Sequence, residues 1–307
     1  MGLPVQIRYV KNPEIDREKW DSCITQSSNG LIYAYSFYLD TMSKHWDALV
    51  LDDYKWVMPL TWKSKYGIKY LYQPFLTAQL GVFGNELNAG LVESFLQAVP
   101  TSFRYWNINL NYGNIFNLEK LDLHQRVNFV LDLNESYEKL YSAYRENIQR
   151  NCKKCYQLGC AKKSGFDVQQ VIDLAWEQMR SHPRAARENL DLFRKLYREL
   201  HSRQQASTYG IFSAKNELLA SAVFFFSHNR SYYILVGNHP DGRTLGASHA
   251  LIDAFIQDHA GNNLLLDFEG SDIRNLAFFY SSFGGKQENY AAIRLNRLPF
   301  YLKWLKK

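Results

Sequence analysis

The chain has 307 residues, 46% of them hydrophobic, 15% aromatic and 21% charged, a composition too apolar and aromatic for a disordered chain and without the bias of a fibre. Its net charge of +6 is unevenly placed: residues 1–122 hold 11 Lys and Arg against 12 Asp and Glu, and residues 123–307 hold 25 against 18. The longest largely apolar run, residues 218–226, is far short of the ~20 residues a spanning helix needs. No apolar signal core is visible near the N-terminus, so a soluble cytoplasmic protein is expected.

Taken in chain order, the first half reads as a strand at residues 5–10 and a helix at 14–26, opened by Asn12-Pro13 as cap and first-turn proline. A short helix at 36–42 follows. Strands at 47–51, 56–62 and 68–73 come next, joined by turns at Asp52-Asp53 and Tyr66-Gly67. A helix at 87–98 and a strand at 105–110 complete it.

The second half repeats that order at greater length. A strand at 127–133 leads into one long helix at 137–158, a short strand around Ala161, and helices at 168–180 and 190–202. Strands at 208–213, 218–226 and 232–236 are joined by Lys215-Asn216 and His228-Asn229, connections short enough for antiparallel hairpins. A helix at 246–258, a strand at 264–268, a helix at 274–283, a strand at 290–295 and a last helix at 299–306 close the chain. The spacing predicts two tandem copies of one α/β unit, residues 1–122 and 123–307. No Gly/Ser-rich or Pro-rich linker separates them, so tight packing is expected.

Three of the four cysteines, Cys152, Cys155 and Cys160, cluster. A structural zinc site needs four ligands from two knuckles, and no second pair follows at suitable spacing. Cys152 and Cys155 instead continue an apolar helical stripe through Leu140, Tyr144 and Ile148. Buried thiols and no metal are the expectation. Most of the positive charge lies in residues 145–163, with six basic residues and one acidic, which points to an anionic partner or to a solvated helix face.

The sharpest segment runs from Leu235 to His249. A strand ends at Val236-Gly237, a turn with Pro240 and Gly242 follows, and a helix opens around Arg243, Leu245, Gly246, Ala247 and Ser248. Unpaired N–H groups at a helix start suit a pyrophosphate, and glycines let backbone approach a ligand. An ordinary strand–turn–helix connection has the same residues. The spacing Arg243-x-x-Gly246-Ala247 resembles the acyl-CoA-binding turn of GNAT N-acyltransferases, with Ser248 where that family has Gly or Ala.

Two further segments narrow the resemblance. The basic helix from Tyr144 to Gly159 is similar to the one opening the second half of FemAB-like proteins. Leu266-Asp-Phe-Glu-Gly-Ser271, followed by Phe278 to Gly284, resembles their strand end and helix end. The resemblance implies an α/β (mixed α+β) chain of two tandem GNAT-like domains, each a twisted mixed β-sheet flanked by helices. It also implies an acyltransferase moving acyl or aminoacyl groups to amines from acyl-CoA or aminoacyl-tRNA, with the coenzyme A site in the second domain.

Direct attack of an amine needs a base and an oxyanion partner but no enzyme nucleophile, and no nucleophile motif is present. Glu269, at a strand end with Gly270 leaving it uncovered, is the candidate base. Asp267, two residues earlier on the same face, would orient substrate or Glu269 itself; both also fit a helix cap or an arginine pair. Arg150, Lys153 and Lys154 are candidates for substrate phosphates. Tyr72 and Gln73, beside a strand end in the first half, are candidates for a pocket wall, with core packing as the plainer account.

Three readings stay open at this point. They are an acyl-CoA-dependent N-acyltransferase acting on a small-molecule or cell-envelope-precursor amine, an aminoacyl-tRNA-dependent transferase, and a non-catalytic binding protein on the same fold.

Overall fold

The computed structural model describes residues 6–115, 122–179, 183–270 and 272–299; the helix expected at 299–306 therefore lies almost wholly outside the described residues. The chain divides into two compact units. The first contains the residues up to Arg126 together with the segment from Asn289, and the second is Val127–Glu288. The observed division at 126/127 lies four residues from the boundary read in the sequence. The last strand groups with the first unit rather than the second.

The first unit begins with β1 (Arg8–Val10), then a 3-10 turn at Asn12–Glu14 and α1 (Arg17–Gln26). The helix expected from residue 14 starts later because Asp16, not Asn12, is its cap: its side chain accepts the Lys19 N–H at 3.1 Å. α2 (Ser36–Met42), β2 (Trp46–Leu51), β3 (Trp56–Lys65) and β4 (Ile68–Tyr72) follow, then α3 (Ala89–Ala98) and β5 (Phe103–Asn109). The β3–β4 hairpin turns on Tyr66 and Gly67, both at positive φ, the geometry that matches the twist of the flanking strands.

The second unit carries β6 (Asp122–Asp132), α4 (Tyr137–Ser142), α5 (Glu146–Gln157) and β7 (Ala161–Ser164). It continues with α6 (Val168–Gln178), α7 (Pro183–Ser202), β8 (Ala206–Phe212), β9 (Leu218–Ser227) and β10 (Arg230–Asn238). Then come α8 (Pro240–Leu245), α9 (Ala247–His259), β11 (Leu265–Asp267) and α10 (Arg274–Ser281), and β12 (Lys286–Asn296) follows. The single helix expected at 137–158 is two helices. Arg145 is extended, and its N–H donates to Ser282 O at 2.9 Å; Tyr144 packs edge-on to Phe283. Those tertiary contacts override a continuous apolar stripe.

The strand pairings show the repeat. In the first unit β1, β2, β3 and β4 are successively antiparallel, β4 and β5 are parallel, and β12 closes antiparallel on β5. In the second unit β7, β8, β9 and β10 are successively antiparallel, β10 and β11 are parallel, and β6 closes antiparallel on β11. The two series are identical in order and sense. The chain is thus mixed α/β, with the tandem arrangement that the element order predicts.

Each sheet has its own core. In the first, Leu49, Met58, Leu71, Phe95 and Trp106 pack together. In the second, α6 lies on β10, while α9 lies on β8 and β9 and is covered by α5. β9 and β10 are nearly continuously buried, as expected for strands covered on both faces. Phe224 of β9 stacks on Phe255 of α9 with ring centroids 3.7 Å apart, and the buried stripe of α5 is Ile148, Cys152 and Cys155. Burial pushes the Cys155 thiol up to about 12, so these cysteines act as small apolar side chains.

Candidate functional site

β10 and β11 stay paired only from Arg230 to Tyr232, where Tyr232 stands level with Asp267. β10 then continues to Asn238, six residues further, or about 20 Å at ~3.3 Å per residue. β11 ends at Asp267, so β10 runs on beyond it, and Val236 and Gly237 lie on the run-on portion. A bulge between Tyr233 and Leu235 marks the same stretch on its β9 side.

Beyond Asn238 the structure differs from the expected direct entry into one helix. The short α8 intervenes, its first turn capped by His239 Nδ1, which accepts the Asp241 N–H at 3.3 Å. Gly246, at φ 76°, joins it to α9. The two glycines are explained by the protein's own packing. A Cβ on Gly242 would stand 2.3 Å from Leu219 O, and one on Gly246 would stand 2.7 Å from Asn151 O. Their space is taken by β9 and α5 backbone rather than left for a ligand.

Ser248 has a structural use too: its Oγ donates to Asn238 Oδ1 at 2.7 Å, tying the start of α9 to the end of β10. Ala247 is buried, Leu245 packs against the core, and Arg243 is exposed. The start of α9 has no side-chain cap. Its first N–H groups therefore keep the partial positive charge that makes a helix start receptive to phosphate.

The basic helix is brought onto this turn. Lys154 Nζ donates to Thr244 O at 2.9 Å, and Asn151 faces Gly246. Arg150, one turn earlier, and Lys153, the adjacent residue, are exposed and line a shallow depression of about 510 Å³ with Lys154. His249, in the first turn of α9, was given no role by the sequence. Its Nε2 lies 3.3 Å from Asn151 Nδ2, its ring meets Phe279 edge-on, and its Nδ1 is buried with no partner among the described residues. Burial pushes its pKa down to about 4, so the ring is neutral at physiological pH.

The second group of residues lies at the end of β11. Glu269 and Gly270 are successive left-handed residues, φ 65° and 80°. Glu269 thus holds a conformation costing of order 1–3 kcal/mol for a side-chain-bearing residue, kept only where the surroundings enforce it. The enforcement is visible. Asp267 Oδ1 accepts the Glu269 N–H at 2.8 Å and the Asn128 Nδ2 at 2.8 Å. Asn128 Oδ1 accepts the Gly270 N–H at 2.6 Å.

Asp267, only 2% exposed, also takes Arg230 Nη1 at 2.5 Å on its other oxygen. Arg230 in turn holds Glu288 through both terminal nitrogens, at 2.9 and 3.0 Å. Enclosed this way, Asp267 holds the Glu269 backbone N–H in place. Glu269 is half-buried beside Tyr280, whose hydroxyl is pushed up first by burial and then by the Glu269 charge. Asn128 is the residue sequence reasoning missed, since its partners lie about 140 positions away.

Tyr72 and Gln73 sit in the first unit. The Tyr72 hydroxyl accepts the Lys44 N–H at 3.1 Å. Gln73 stitches its own loop, Oε1 accepting the Asn109 N–H at 3.0 Å and Nε2 donating to Thr77 O at 2.7 Å. Among the described residues no group of three or more His, Cys, Asp or Glu is placed to hold a metal. No helix among them is long and apolar enough to cross a membrane.

Residues 142–272 match the family model of the acetyltransferase (GNAT) domain; the matched span includes α5, the α8–α9 turn and the Glu269 turn. No curated protein sequence matches the chain. Among solved structures, FemX superposes with a TM-score of 0.65 at 12% identity, covering 97% of this chain and 99% of that one. A conserved protein of unknown function from Bacteroides thetaiotaomicron gives 0.58 at 10% identity, covering 94% and 99%. The C-terminal DUF2156 domain of a protein described as a lysylphosphatidylglycerol synthetase, from Agrobacterium fabrum, gives 0.54 at 11%, covering 94% of each. Residues 142–272 are therefore a GNAT domain, and the chain as a whole takes the FemX-like tandem GNAT fold.

Proposed function

We propose that the second unit transfers an acyl group from an acyl-CoA to an amine. The observation that carries this reading is the uncapped start of α9, which follows the portion of β10 that runs on past β11, within the matched GNAT span. The His249 and Ala250 N–H groups are bonded to Gly246 O, which leaves the N–H groups of Ala247 and Ser248, with Lys154 beside them and Arg243 exposed nearby, to suit the donor's phosphates. The distance of about 20 Å between Asn238 and the level of Asp267 suits a donor with a long arm between its phosphates and its reacting carbonyl.

Glu269 is the proposed base. As the amine nitrogen bonds to the carbonyl carbon and the carbon–sulfur bond breaks, Glu269 accepts the amine proton and the thiol leaves protonated from solvent. Its fixed backbone, held by Asp267 and Asn128, keeps the carboxylate in one place, which is what a positioned base requires. The acceptor class is an amine on a small molecule or an envelope precursor.

One observation favours a second reading. Arg150 and Lys153 extend the charge of Lys154 along the exposed face of α5, and a row of basic side chains suits a polyanion such as tRNA. Thermal shift separates the two, because a ligand bound only by the native state raises stability by about 2.7 kcal/mol at a hundred times its Kd. Coenzyme A and acyl-CoAs are expected to raise the melting temperature. A rise with aminoacyl-tRNA alone would move the assignment to the second reading, and a rise with neither would leave a binding protein without this chemistry.

A further inference from the structure

The β3–β4 hairpin reaches past the core of the first unit. Burial along β3 ends at Thr61, its last two residues, Ser64 and Lys65, are exposed, and of β4 only Leu71 is buried. Tyr66 at the tip is 82% exposed and left-handed, φ 52°, followed by Gly67 at 73°. The strand register brings two further strand ends to the same place. Lys69 stands level with Phe103 of β5, and the Arg297 N–H, just past β12, donates to Arg104 O at 2.8 Å. A shallow depression of about 440 Å³ lies there, lined by residues 66–69, Ser102 and Arg104.

The charge on these segments has one sign. Residues 63–69, 100–106 and 294–299 hold three lysines and three arginines and no Asp or Glu. Lys69 shares a cavity wall with the carboxylates Asp40 and Asp47, whereas Lys65, Arg104 and Arg297 are exposed on segments that carry none. The cations also lie over aromatic rings. Lys63 Nζ stands 4.2 Å from the Tyr72 ring centre, Lys65 Nζ 5.5 Å from that of Tyr66, and the Arg297 guanidinium 5.4 Å from that of Trp106. A surface that serves only solubility intersperses both signs of charge. Amphipathic rings among lysines and arginines are the chemistry of a membrane–water interface. The sequence keeps that character beyond Leu298: residues 299–307 read Pro-Phe-Tyr-Leu-Lys-Trp-Leu-Lys-Lys, with three lysines and no acid.

We infer that this end of the first unit docks on an anionic lipid bilayer, with Tyr66 in the headgroup layer and Lys65, Arg104 and Arg297 against lipid phosphates. Each basic side chain held at such a surface strengthens attachment roughly fivefold. A nucleic acid would satisfy the cations alone, whereas the tyrosine, tryptophan and leucine that accompany them are what an interfacial lipid anchor carries. The face is independent of the α9 start and of Glu269, and it stands whether or not the second unit transfers an acyl group.

Flotation of the full chain with two kinds of vesicle tests this, one of phosphatidylcholine and one of phosphatidylcholine and phosphatidylglycerol in equal parts. Binding to the mixed vesicles and not to the neutral ones is expected. Lys65→Gln combined with Arg104→Gln is expected to weaken it roughly tenfold or more. Tyr66→Asn, which keeps a residue at ease with positive φ, is expected to weaken it severalfold. The Arg150→Gln, Lys153→Gln pair on α5 is expected to leave it unchanged. All five substituted positions are exposed, and an unchanged melting temperature checks that each variant folds. Equal binding to both kinds of vesicle, binding indifferent to the hairpin substitutions, or loss with the α5 pair instead would overturn the assignment. So would a parent that ignores the mixed vesicles, whether or not it binds a single-stranded RNA oligonucleotide through the same lysine and arginine.

Discussion

Asp267 shows how one buried carboxylate serves two purposes. Its charge is balanced by Arg230, and its second oxygen fixes the left-handed turn that carries Glu269. Removing one member of a buried pair leaves the other charge uncompensated, typically at a cost of about 3–5 kcal/mol. Because Glu288 still holds Arg230, Asp267→Asn is expected to cost about 3 kcal/mol, the lower end of that range, measured by urea unfolding. An unchanged midpoint would show that the pair does not carry the turn.

His249 gives a pH signature at the same scale. Its folded pKa is pushed by burial from 6.5 to about 4, so the unfolded chain takes up its proton first as pH falls. The contribution is therefore fully present above pH 6.5 and is lost as pH falls toward 4, amounting to about 3 kcal/mol at ~1.36 kcal/mol per pH unit. Asp253, held up by burial, works in the opposite sense: stability falls as pH rises through its folded value. His249→Asn should flatten the decline between pH 6.5 and 4 relative to the parent in denaturant titrations. A parallel decline in both proteins would locate the sensitivity elsewhere.

At the scale of elements, α5 and its neighbours separate what a sequence states from what folding adds. The apolar stripe of Ile148, Cys152 and Cys155 and the hairpin at His228-Asn229 are local patterns, and both were legible. The break at Arg145 was not, because its hydrogen-bond partner is Ser282, and α8 was not, because Pro240-Asp-Gly reads equally as a turn. The glycines at 242 and 246 were legible as necessary, but the reason for them, close approach of β9 and α5 backbone, is tertiary.

The same helix makes a prediction about charge. Lys154 touches the turn that precedes α9, whereas Arg150 and Lys153 do not. Lys154→Gln is expected to weaken acetyl-CoA binding about fivefold, equivalent to about 1 kcal/mol, and the Arg150→Gln, Lys153→Gln pair to change it less than twofold. Calorimetry at two salt concentrations checks both. A larger effect from the outer pair would indicate a longer polyanion along α5.

At the scale of the molecule, the repeated series of strand pairings accounts for why the doubled α/β order was readable from periodicity alone: each unit has the same alternation of buried strands and covering helices. The grouping of β12 with the first unit was not readable, since nothing local distinguishes a strand that closes one sheet from a strand that extends another. The candidate site was legible as segments, the α9 start and the Glu269 turn, but not as a geometry. The pairing of β10 with β11, the Arg230–Asp267–Glu288 cluster and the Asn128 bridge all depend on contacts across 35 or more positions.

If the start of α9 receives the phosphates of an acyl donor, calorimetry of acetyl-CoA with the parent and with Ser248→Asp reads it out. An acidic residue in the first turn of a helix favours the helix itself, which offsets loss of the Ser248 hydrogen bond to Asn238, while placing negative charge where the phosphates would sit. Saturable binding by the parent and at least tenfold weaker binding by Ser248→Asp at an unchanged melting temperature are expected. Equal affinity in the two proteins, or no binding by the parent, would contradict it.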